Sequence, residues 1–201
     1  MTGELAGIEF DAATIARAVR ALAASIARDS LGEPVLLLGV LKGASFFIAD
    51  LARAFPPALD VRLDFLAVGS YGKGTRSSGE VRLLKDTSES VEGKHVVIVE
   101  DIVEGGLTLK YLQGLLRGRK PATLRSCVLL DKPYRRRVEV TLDYKGLTAP
   151  DAFIVGYGLD YQEKYRHLPY LARLHASVAQ DGGIVSPGAS RQVVSPSKGI
   201  G

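Results

Sequence analysis

A short apolar run that leads into acids and glycines constrains this chain more than any other stretch. Val96–Val99 is apolar at every position, which is typical of a strand that is covered on both faces of a sheet. Glu100-Asp101 follows at once. Glu104 then stands before Gly105-Gly106, and a helical pattern begins near Thr108. The stretch predicts a buried strand that delivers carboxylates to its carboxyl end, with a glycine turn and a helix N-terminus behind them.

Such a turn is suited to an anion. The first N–H groups of a helix have no partner within it and carry the positive end of its dipole, so a phosphate is favoured there. Glycine lets the backbone approach a ligand closely, and Thr108 adds a hydroxyl donor. The alternative is a plain strand-to-helix turn whose acids cap the helix. Three acids directly after an apolar strand favour a binding site, with a sugar or a metal ion on the acids.

Apolar strands and amphipathic helices alternate along the chain. Helices are predicted from a cap at Asp11, from a cap at Ser45 and from Thr108. The predicted strands are Val35–Val40, Val61–Val68, Glu80–Lys85, Val96–Val99, Thr123–Leu130 and Ala152–Tyr157. This alternation predicts an α/β fold with a mostly parallel central sheet of about five strands, flanked by helices on both faces.

Ligands in sheets of this kind bind beyond the carboxyl ends of the strands. Four strand ends are therefore expected to converge on one crevice. The segments that follow these ends carry Lys42-Gly43, the acidic stretch, Lys132 and Asp160.

Length and composition fit one domain with a short appendage. The 201 residues are 46% hydrophobic and 24% charged, as in ordinary soluble globular proteins. Residues 1–178 are predicted to form the single domain. Residues 179–201 are rich in glycine, serine and proline and are predicted to be a flexible tail, because they have too little apolar surface to bury.

Charge, cysteine content and hydropathy restrict the setting. The net charge of +4 is modest and suits an acidic small substrate as well as a nucleic acid, so charge alone does not choose between them. The single cysteine, Cys127, excludes an internal disulfide and is expected to be a buried, inert thiol, because its neighbours are apolar. The N-terminus does not resemble a signal peptide, and no run approaches the ~20 apolar residues that span a bilayer. A cytoplasmic location is expected.

The longest basic run is Arg135-Arg136-Arg137. Two interpretations stay open from the sequence. The run is either a solvated loop or a patch that binds a phosphate or a partner.

The acidic stretch and its glycine turn resemble a known family. EDIVEGGLTL, residues 100–109, resembles the phosphoribosyl-diphosphate signature of the type I phosphoribosyltransferases, and more narrowly that of the hypoxanthine (hypoxanthine-guanine) phosphoribosyltransferases. Other stretches match in the same order: GVLKG (39–43), SYG (70–72), SGEV (78–81), LLDK (129–132), FIVGYGLDY (153–161) and Arg166 in KYRHLPY (164–170). The resemblance covers roughly residues 8–174.

The resemblance implies a fold and a reaction. The fold would be that of type I phosphoribosyltransferases. It would have a small hood, built from the chain ends and Leu130–Ala152, and a mobile flap at residues 69–79. A purine base would attack C1 of 5-phosphoribosyl diphosphate, and pyrophosphate would leave with Mg²⁺. The implied partners are these small molecules and further copies of the chain in a homodimer or homotetramer, with no membrane and no nucleic acid.

The resemblance also implies roles for the sugar and the base. Glu104 would be the catalytic group that takes the proton from N7 of the purine. Glu100 and Asp101 would bind the ribose hydroxyls and, with Asp160, magnesium. The residues that would cradle the 5′-phosphate are Gly105, Gly106, Leu107 and Thr108. Those that would contact the purine are Lys132 at O6, Phe153 by stacking and Ile154 through its backbone.

Pyrophosphate and flap residues follow from the same resemblance. Lys42 and Gly43 would form the pyrophosphate loop, which in the family has a cis peptide bond before the lysine position. Arg166 would contact pyrophosphate. Ser70 and Tyr71 would stand near the hinge of the flap.

Two adjacent positions depart from the family pattern, which has Asp at position 104 and Thr at position 105. Glu104 adds about 1.5 Å of reach, and Gly105 removes a hydroxyl donor. We interpret the pair as a loop reshaped as a unit. Two alternatives remain open: a non-catalytic nucleotide-sensing regulator on the same fold, and a phosphoribosyltransferase for another base such as xanthine. Lys132, Asp160 and Arg166 favour the enzyme.

Overall fold

The structure, a computed structural model, describes residues 3–70 and 81–181. Its strands are β1 (Leu5–Phe10), β2 (Val35–Leu41), β3 (Val61–Ser70), β4 (Val81–Lys85), β5 (His95–Val103), β6 (Thr123–Asp131), β7 (Tyr144–Thr148), β8 (Ile154–Val155) and β9 (Leu171–Leu174). Its α-helices are α1 (Ala12–Ser30), α2 (Ser45–Arg53), α3 (Leu107–Arg117) and α4 (Ala176–Asp181), and Pro133–Arg135 forms a 3₁₀ turn.

Six strands form the central sheet in the order β4-β3-β2-β5-β6-β7. β3, β2, β5, β6 and β7 run parallel, and β4 pairs antiparallel with β3 at one edge. The predicted parallel α/β sheet is confirmed. A second, antiparallel sheet has the order β1-β9-β8 and is built partly from the chain ends, as expected for the hood.

Helices cover both faces of the central sheet. Alternate side chains of β5 point to opposite faces. Val97 and Val99 pack in the core beneath α1 and α2, whereas Val96 and Ile98 pack beneath α3. Buried apolar area of this kind contributes about 25 cal/mol per Å², so these two cores supply the main favourable term in folding.

Helix α1 begins as predicted, but α2 does not. The Asp11 carboxylate accepts a hydrogen bond from Thr14 N at 2.7 Å and caps α1. Ser45 was expected to cap α2, yet it is the first helical residue, and Ala44 is the N-cap without a side-chain bond. The physical reason is that Ala44 N and Ser45 N already bond to the Val40 and Lys42 carbonyls, so backbone turns set the entry of α2.

Three predicted boundaries need correction. β5 continues to Val103, because its pairing with β6 persists past the acids. The strand predicted at Ala152–Tyr157 is only Ile154–Val155 and belongs to the small sheet. The region Leu130–Ala152 was expected in the hood, but β7 pairs parallel with β6 and is the edge of the central sheet. Its sequence, YKGLT, has no apolar run that would have predicted a strand.

The predicted tail and flap lie mostly outside the described residues. α4 crosses the predicted domain boundary between Val178 and Ala179, and residues 182–201 are not described. β3 continues to Ser70, and the remainder of the predicted flap, including Tyr71, falls outside the described ranges. Cys127 is buried and free, as expected, and burial raises the pKa of its thiol. Among the described residues, none of the helices has the length and apolar character needed to cross a bilayer.

Candidate active site

The acids of β5 stand on opposite faces at the carboxyl end of the sheet. Glu100 lines a cavity of about 850 Å³ on the α3 side. The Asp101 carboxylate lies against Gly43, where an added Cβ would be only 1.8 Å from Oδ2. The crevice therefore has two lobes, one on each side of β5.

The glycine turn forms the wall of the first lobe. Residues Glu104–Thr108 line the cavity, and α3 begins at Leu107. Gly106, the N-cap, has φ +87°, a conformation that favours glycine. Within the described residues, the N–H groups of Gly105–Thr108 donate to no backbone or side-chain acceptor. These free donors at a helix N-terminus form a cup that suits a phosphate.

Basic side chains close the cup from the other side. Arg135, Arg136 and Arg137 line the same cavity. The sequence left open whether this run is a solvated loop or a patch that binds a phosphate or a partner. Its place on the wall of the cavity favours the patch. The hydrogen bonds from Arg137 N and Val138 N to the Gly105 carbonyl, at 3.0 and 3.2 Å, attach it to the turn.

Glu104 and Lys132 form an ion pair beside the cup. Lys132 follows β6, and its side chain is 2% exposed. Its Nζ donates to Glu104 Oε1 at 2.5 Å and to the Ala152 carbonyl at 2.9 Å. A buried ammonium needs such partners. An ammonium has three N–H donors, so one remains for a ligand.

The second lobe contains the predicted pyrophosphate loop. The peptide bond between Leu41 and Lys42 is cis, as the resemblance implied. Gly43 packs against the backbone of Gly158 so closely that a Cβ on Gly158 would lie 2.0 Å from the Gly43 carbonyl oxygen. Lys42 Nζ bonds to Glu163 at 2.9 Å. The loops after β2 and β8 thus meet beside Asp101.

Asp160 and Arg166 stand in this lobe as an ion pair. Arg166 Nη2 is 2.6 Å from Asp160 Oδ1, and its Nη1 donates to the Gly158 carbonyl at 2.7 Å. Asp160 also accepts a hydrogen bond from Glu163 N. The backbone of this loop takes positive φ at residues other than glycine, including Tyr157 and Glu163. Such conformations cluster at functional sites.

The predicted base contacts are only partly assembled. Ile154 is buried in β8. Phe153 is half-buried and meets Tyr161 edge to face, with ring centroids 5.8 Å apart. Phe153 is not among the described residues that line the 850 Å³ cavity. Its stacking on a base stays a prediction.

Burial changes the acidity of both β5 carboxyls. Glu100 is buried, and this desolvation, with the nearby Asp101 charge, raises its pKa well above the ordinary value. Burial also raises the pKa of Asp101 to about 6, despite the bond that Asp101 Oδ1 accepts from Ile102 N. The fold therefore holds these groups at a cost in stability at neutral pH.

We expect Asp101→Asn to stabilise the fold above pH 6. The folded pKa lies above the unfolded one, so the folded state binds the proton more tightly and loses stability as the pH rises through about 6. Asparagine keeps the acceptor for Ile102 N and removes the charge. The free energy of unfolding should rise by about 2 kcal/mol at pH 8 and by less at pH 5. Urea unfolding at the two pH values measures this difference.

A matched control separates this effect from a general loss of negative charge. Asp60 lies in an exposed ion pair with Arg62, and such pairs contribute little. Asp60→Asn should therefore change the free energy of unfolding by less than about 1 kcal/mol at either pH. Equal stabilities of wild type and Asp101→Asn at pH 8 would contradict the expectation.

The oxygen atoms at this edge fit magnesium only with help from a substrate. In the described ranges, no group of three or more histidine, cysteine or acidic side chains could hold a metal ion. Glu100 Oε1 is nevertheless buried without a hydrogen-bond partner, and Asp101 and Asp160 stand in the neighbouring lobe. Mg²⁺ takes hard oxygen ligands and often binds through one or two carboxylates plus substrate phosphates. The residues present fit that mode.

Most of the predicted site residues come together, and some members of the site were not predicted. The structure brings together Lys42, Gly43, Asp101, Asp160 and Arg166 in one lobe, and Glu100, Glu104 to Thr108 and Lys132 in or beside the other. The side chain of Ser70 and all of Tyr71 are outside the described part. Additional residues at the site are Asp131, Tyr134, Asp151, Gly158 and Glu163. Gly158 and Asp131 lie inside the matching motifs, whereas nothing in the sequence pointed to Asp151.

Known proteins share this sequence and architecture. The phosphoribosyl transferase domain family matches residues 10–162. A hypoxanthine-guanine phosphoribosyltransferase of Bacillus subtilis is 46% identical over 164 residues, which cover 82% of this chain and 90% of the relative. One of Staphylococcus aureus is 45% identical, over 78% of this chain and 87% of the relative.

Solved structures agree. A hypoxanthine-guanine phosphoribosyltransferase of Bacillus anthracis superposes with a TM-score of 0.81 at 44% identity, covering 86% of this chain and all of that one. The hypoxanthine phosphoribosyltransferase of Trypanosoma cruzi in complex with the product IMP gives 0.82 at 42%, covering 89% of this chain and 98% of that one. With the two-lobed crevice at the carboxyl end of its parallel sheet, the chain belongs to the phosphoribosyltransferase family, among the hypoxanthine-guanine phosphoribosyltransferases.

Proposed function

We propose that this chain transfers the 5-phosphoribosyl group from 5-phosphoribosyl diphosphate to hypoxanthine and guanine, giving IMP or GMP and pyrophosphate in purine salvage. The observation that carries the proposal is the Glu104–Lys132 pair, an acid and a buried cation beside a cup of free N–H groups. A 6-oxopurine offers the matching chemistry, an N7 proton for the acid and an O6 acceptor for the cation. Relatives that bear the name of this activity support it.

The first lobe binds and orients the sugar in this proposal. The N–H groups of Gly105–Thr108 hold the 5′-phosphate. Glu100 from this lobe and Asp101 from the second lobe accept hydrogen bonds from the ribose hydroxyls. A carboxylate that binds both hydroxyls fixes the ring relative to the incoming base, which is a positioning contribution to the rate. The pKa values of Glu100 and Asp101 are raised, and perturbed pKa values of this kind cluster at functional sites.

Glu104 and Lys132 act on the base together. Lys132 uses its remaining N–H to donate to O6, while Glu104 takes the N7 proton as the bond to C1 forms. Lys132 is held by Glu104 and the Ala152 carbonyl, so its position does not depend on substrate. A preorganised donor of this kind discriminates for an oxygen at the purine 6-position. Phe153 stacks on the base, and the Ile154 backbone contacts its edge.

The second lobe receives pyrophosphate. Lys42, Gly43 and Arg166 bind its oxygens, and Ser70 and Tyr71 belong to a flap that excludes water. Glu100, Asp101 and Asp160 would hold Mg²⁺ with substrate oxygens, and the ion would offset charge on the departing pyrophosphate. Pyrophosphate must displace Glu163 from Lys42 or share the ammonium with it.

The test is turnover of a panel of bases by purified protein with 5-phosphoribosyl diphosphate and Mg²⁺, followed by ultraviolet absorbance. We expect turnover of hypoxanthine and guanine. Turnover of xanthine alone would show that the chain is a phosphoribosyltransferase for another base. Binding of 5-phosphoribosyl diphosphate without turnover of any base would favour a non-catalytic nucleotide-sensing regulator. Either result would overturn the proposal.

Removal of magnesium is expected to abolish turnover. An excess of a chelator such as EDTA should lower the rate by at least about 10²-fold, because the charge on the leaving group is then uncompensated. Added Mg²⁺ should restore the rate fully, and Zn²⁺-selective chelation should have no effect. Undiminished turnover in EDTA would contradict the magnesium part of the proposal.

Assembly and location complete the proposal. We place the enzyme in the cytoplasm as a homodimer or homotetramer that acts on small molecules, with no nucleic-acid or membrane partner. Light scattering of the purified chain measures its mass in solution and tests the oligomeric state.

A further inference from the structure

The arginine strap, residues Arg135–Val138, is attached to the glycine turn by its backbone. Arg137 N and Val138 N both donate to the Gly105 carbonyl, at 3.0 and 3.2 Å. Farther along, Gln113 Nε2 of α3 donates to the Thr141 carbonyl at 2.8 Å. The strap is therefore fixed relative to the helix whose N-terminus forms the cup.

The arginine stems lie where side chains on the turn would stand. A Cβ on Gly105 would be 3.4 Å from Arg137 Cδ, and one on Gly106 would be 3.2 Å from Arg136 Cδ. Both arginines line the cavity. The bare turn thus leaves room for the stems of both arginines beside it.

One of the three arginines that line the cup has no ion-pair partner within the described residues. Arg135 pairs with Asp151, Arg136 with Asp131 and Lys132 with Glu104. Arg137 makes no ion pair or side-chain hydrogen bond there. Arg137 is also exposed to the cavity. Its guanidinium is therefore available to a ligand.

A phosphate group is the acceptor that suits Arg137. A guanidinium matches phosphate oxygens in geometry and charge. The N–H groups of the turn line the same cavity. A phosphoryl group in the cup would therefore be within the cavity that both kinds of donor line.

We propose that Arg137 binds the 5′-phosphate of the sugar substrate and so replaces a side-chain donor at position 105. This inference rests on the proposed function, because it takes the cup to be the site of that phosphate. Arg137 is then a binding residue that sets the affinity for the phosphorylated pentose rather than for the base.

Calorimetric titration with ribose 5-phosphate tests the inference directly. Arg137→Gln should weaken binding about ten-fold or more, as expected when a hydrogen bond to a charged group is lost. Arg137→Lys should recover part of the loss, since it restores the charge without the planar fork. The affinity of the wild type should fall more steeply with added salt than that of Arg137→Gln.

A matched control removes a positive charge elsewhere on the same helix. Arg117 is exposed at the opposite end of α3, about 15 Å from the cup at 1.5 Å rise per residue. Arg117→Gln should leave the affinity for ribose 5-phosphate within two-fold of wild type. Unphosphorylated ribose should bind wild type and Arg137→Gln equally weakly.

A second substitution tests whether Arg137 substitutes for a donor on the turn. Gly105→Ser places a hydroxyl beside the cup, and Gly105 does not adopt a positive φ. In the Arg137→Gln background, Gly105→Ser should raise the affinity for ribose 5-phosphate several-fold. In the wild type, the same substitution should raise it little or not at all. If Gly105→Ser changed the affinity equally in both backgrounds, positions 105 and 137 would act independently. That result would contradict the inference that Arg137 replaces a donor at position 105.

Two results separate a role of Arg137 in phosphate binding from the activity of the enzyme. If wild type and Arg137→Gln bind ribose 5-phosphate equally while the wild type turns over hypoxanthine, Arg137 has no role in phosphate binding and the enzyme assignment stands. If the wild type neither binds ribose 5-phosphate nor turns over any base, both fail. Thermal unfolding of each variant should match that of the wild type, because Arg137 is exposed and makes no structural ion pair within the described residues.

Discussion

Glu104→Gln is expected to lower kcat with hypoxanthine by about 10²–10⁴, with little change in the KM for 5-phosphoribosyl diphosphate. Glutamine keeps the length and the oxygen that accepts from Lys132 Nζ, but it cannot take a proton from N7. The loss therefore falls on the chemical step. Single-turnover measurements of product formation at saturating substrate give the rate of that step.

Glu104→Asp separates the role of the carboxylate from the role of its length. Glu104 Oε1 accepts a hydrogen bond from Lys132 Nζ at 2.5 Å, so the position of this carboxylate sets the contact with Lys132. Asp would withdraw the carboxylate by about 1.5 Å, and a misplacement near 1 Å can cost about 10² in rate. We expect Glu104→Asp to lower kcat about 10- to 100-fold, and a rise in turnover would show that the loop is poorly fitted to Glu.

An acid far from the crevice serves as the control for this pair of variants. Glu92 is exposed in the turn before β5, and Glu92→Gln should keep the wild-type kcat. If Glu104→Gln also keeps the wild-type kcat, another group takes the N7 proton, and the catalytic role of Glu104 is wrong.

Gly158→Ala should disrupt the second lobe strongly. Its Cβ would lie 2.0 Å from the Gly43 carbonyl oxygen, which is backbone and cannot rotate away. Gly158 also has φ +101°, a conformation that is strained for any L side chain. We expect a loss of about 3 kcal/mol or more in the free energy of unfolding and a fall of at least about 10² in kcat/KM.

Gly114→Ala is the matched control, because it adds the same methyl group to open space. Gly114 lies on the exposed face of α3, with nothing within 4 Å of a Cβ. Alanine in a helix interior is about 1 kcal/mol better than glycine, so this variant should be slightly more stable and fully active. An active, stable Gly158→Ala enzyme would mean that the loops after β2 and β8 do not need their close approach. Urea unfolding and the base assay measure both quantities.

Elements were predicted best from the sequence where local pattern and physical need coincide. Apolar runs predicted β2 and β6 closely, because a strand that is covered on both faces buries nearly all of its side chains, and these are mostly apolar. The cap at Asp11 was confirmed by its bond to Thr14 N. The edge strand β7 was not predicted, because it is held by pairing with β6 rather than by a pattern of its own.

Long-range contacts explain the parts of the site that the sequence left open. The run Arg135-Arg136-Arg137 was compatible with a solvated loop or a phosphate patch, and two backbone bonds to Gly105 place it on the cavity wall. The alternation of side chains along β5 sends Glu100 and Asp101 to different lobes, although they are adjacent in the chain. A ligand that contacts both carboxylates must therefore extend across the end of β5, from one lobe to the other.

The amino-acid order was enough to specify a parallel α/β fold, the family, and a glycine turn behind carboxylates, because strand burial, helix entry and turn geometry depend on neighbours in the chain. The tertiary structure alone decided that Lys132 reaches Glu104, that Gly158 closes on Gly43 and that the arginine strap faces the cup. These partners are separated by 28 to 115 positions and meet only because the strand ends converge, with burial of the two cores holding the loops in place.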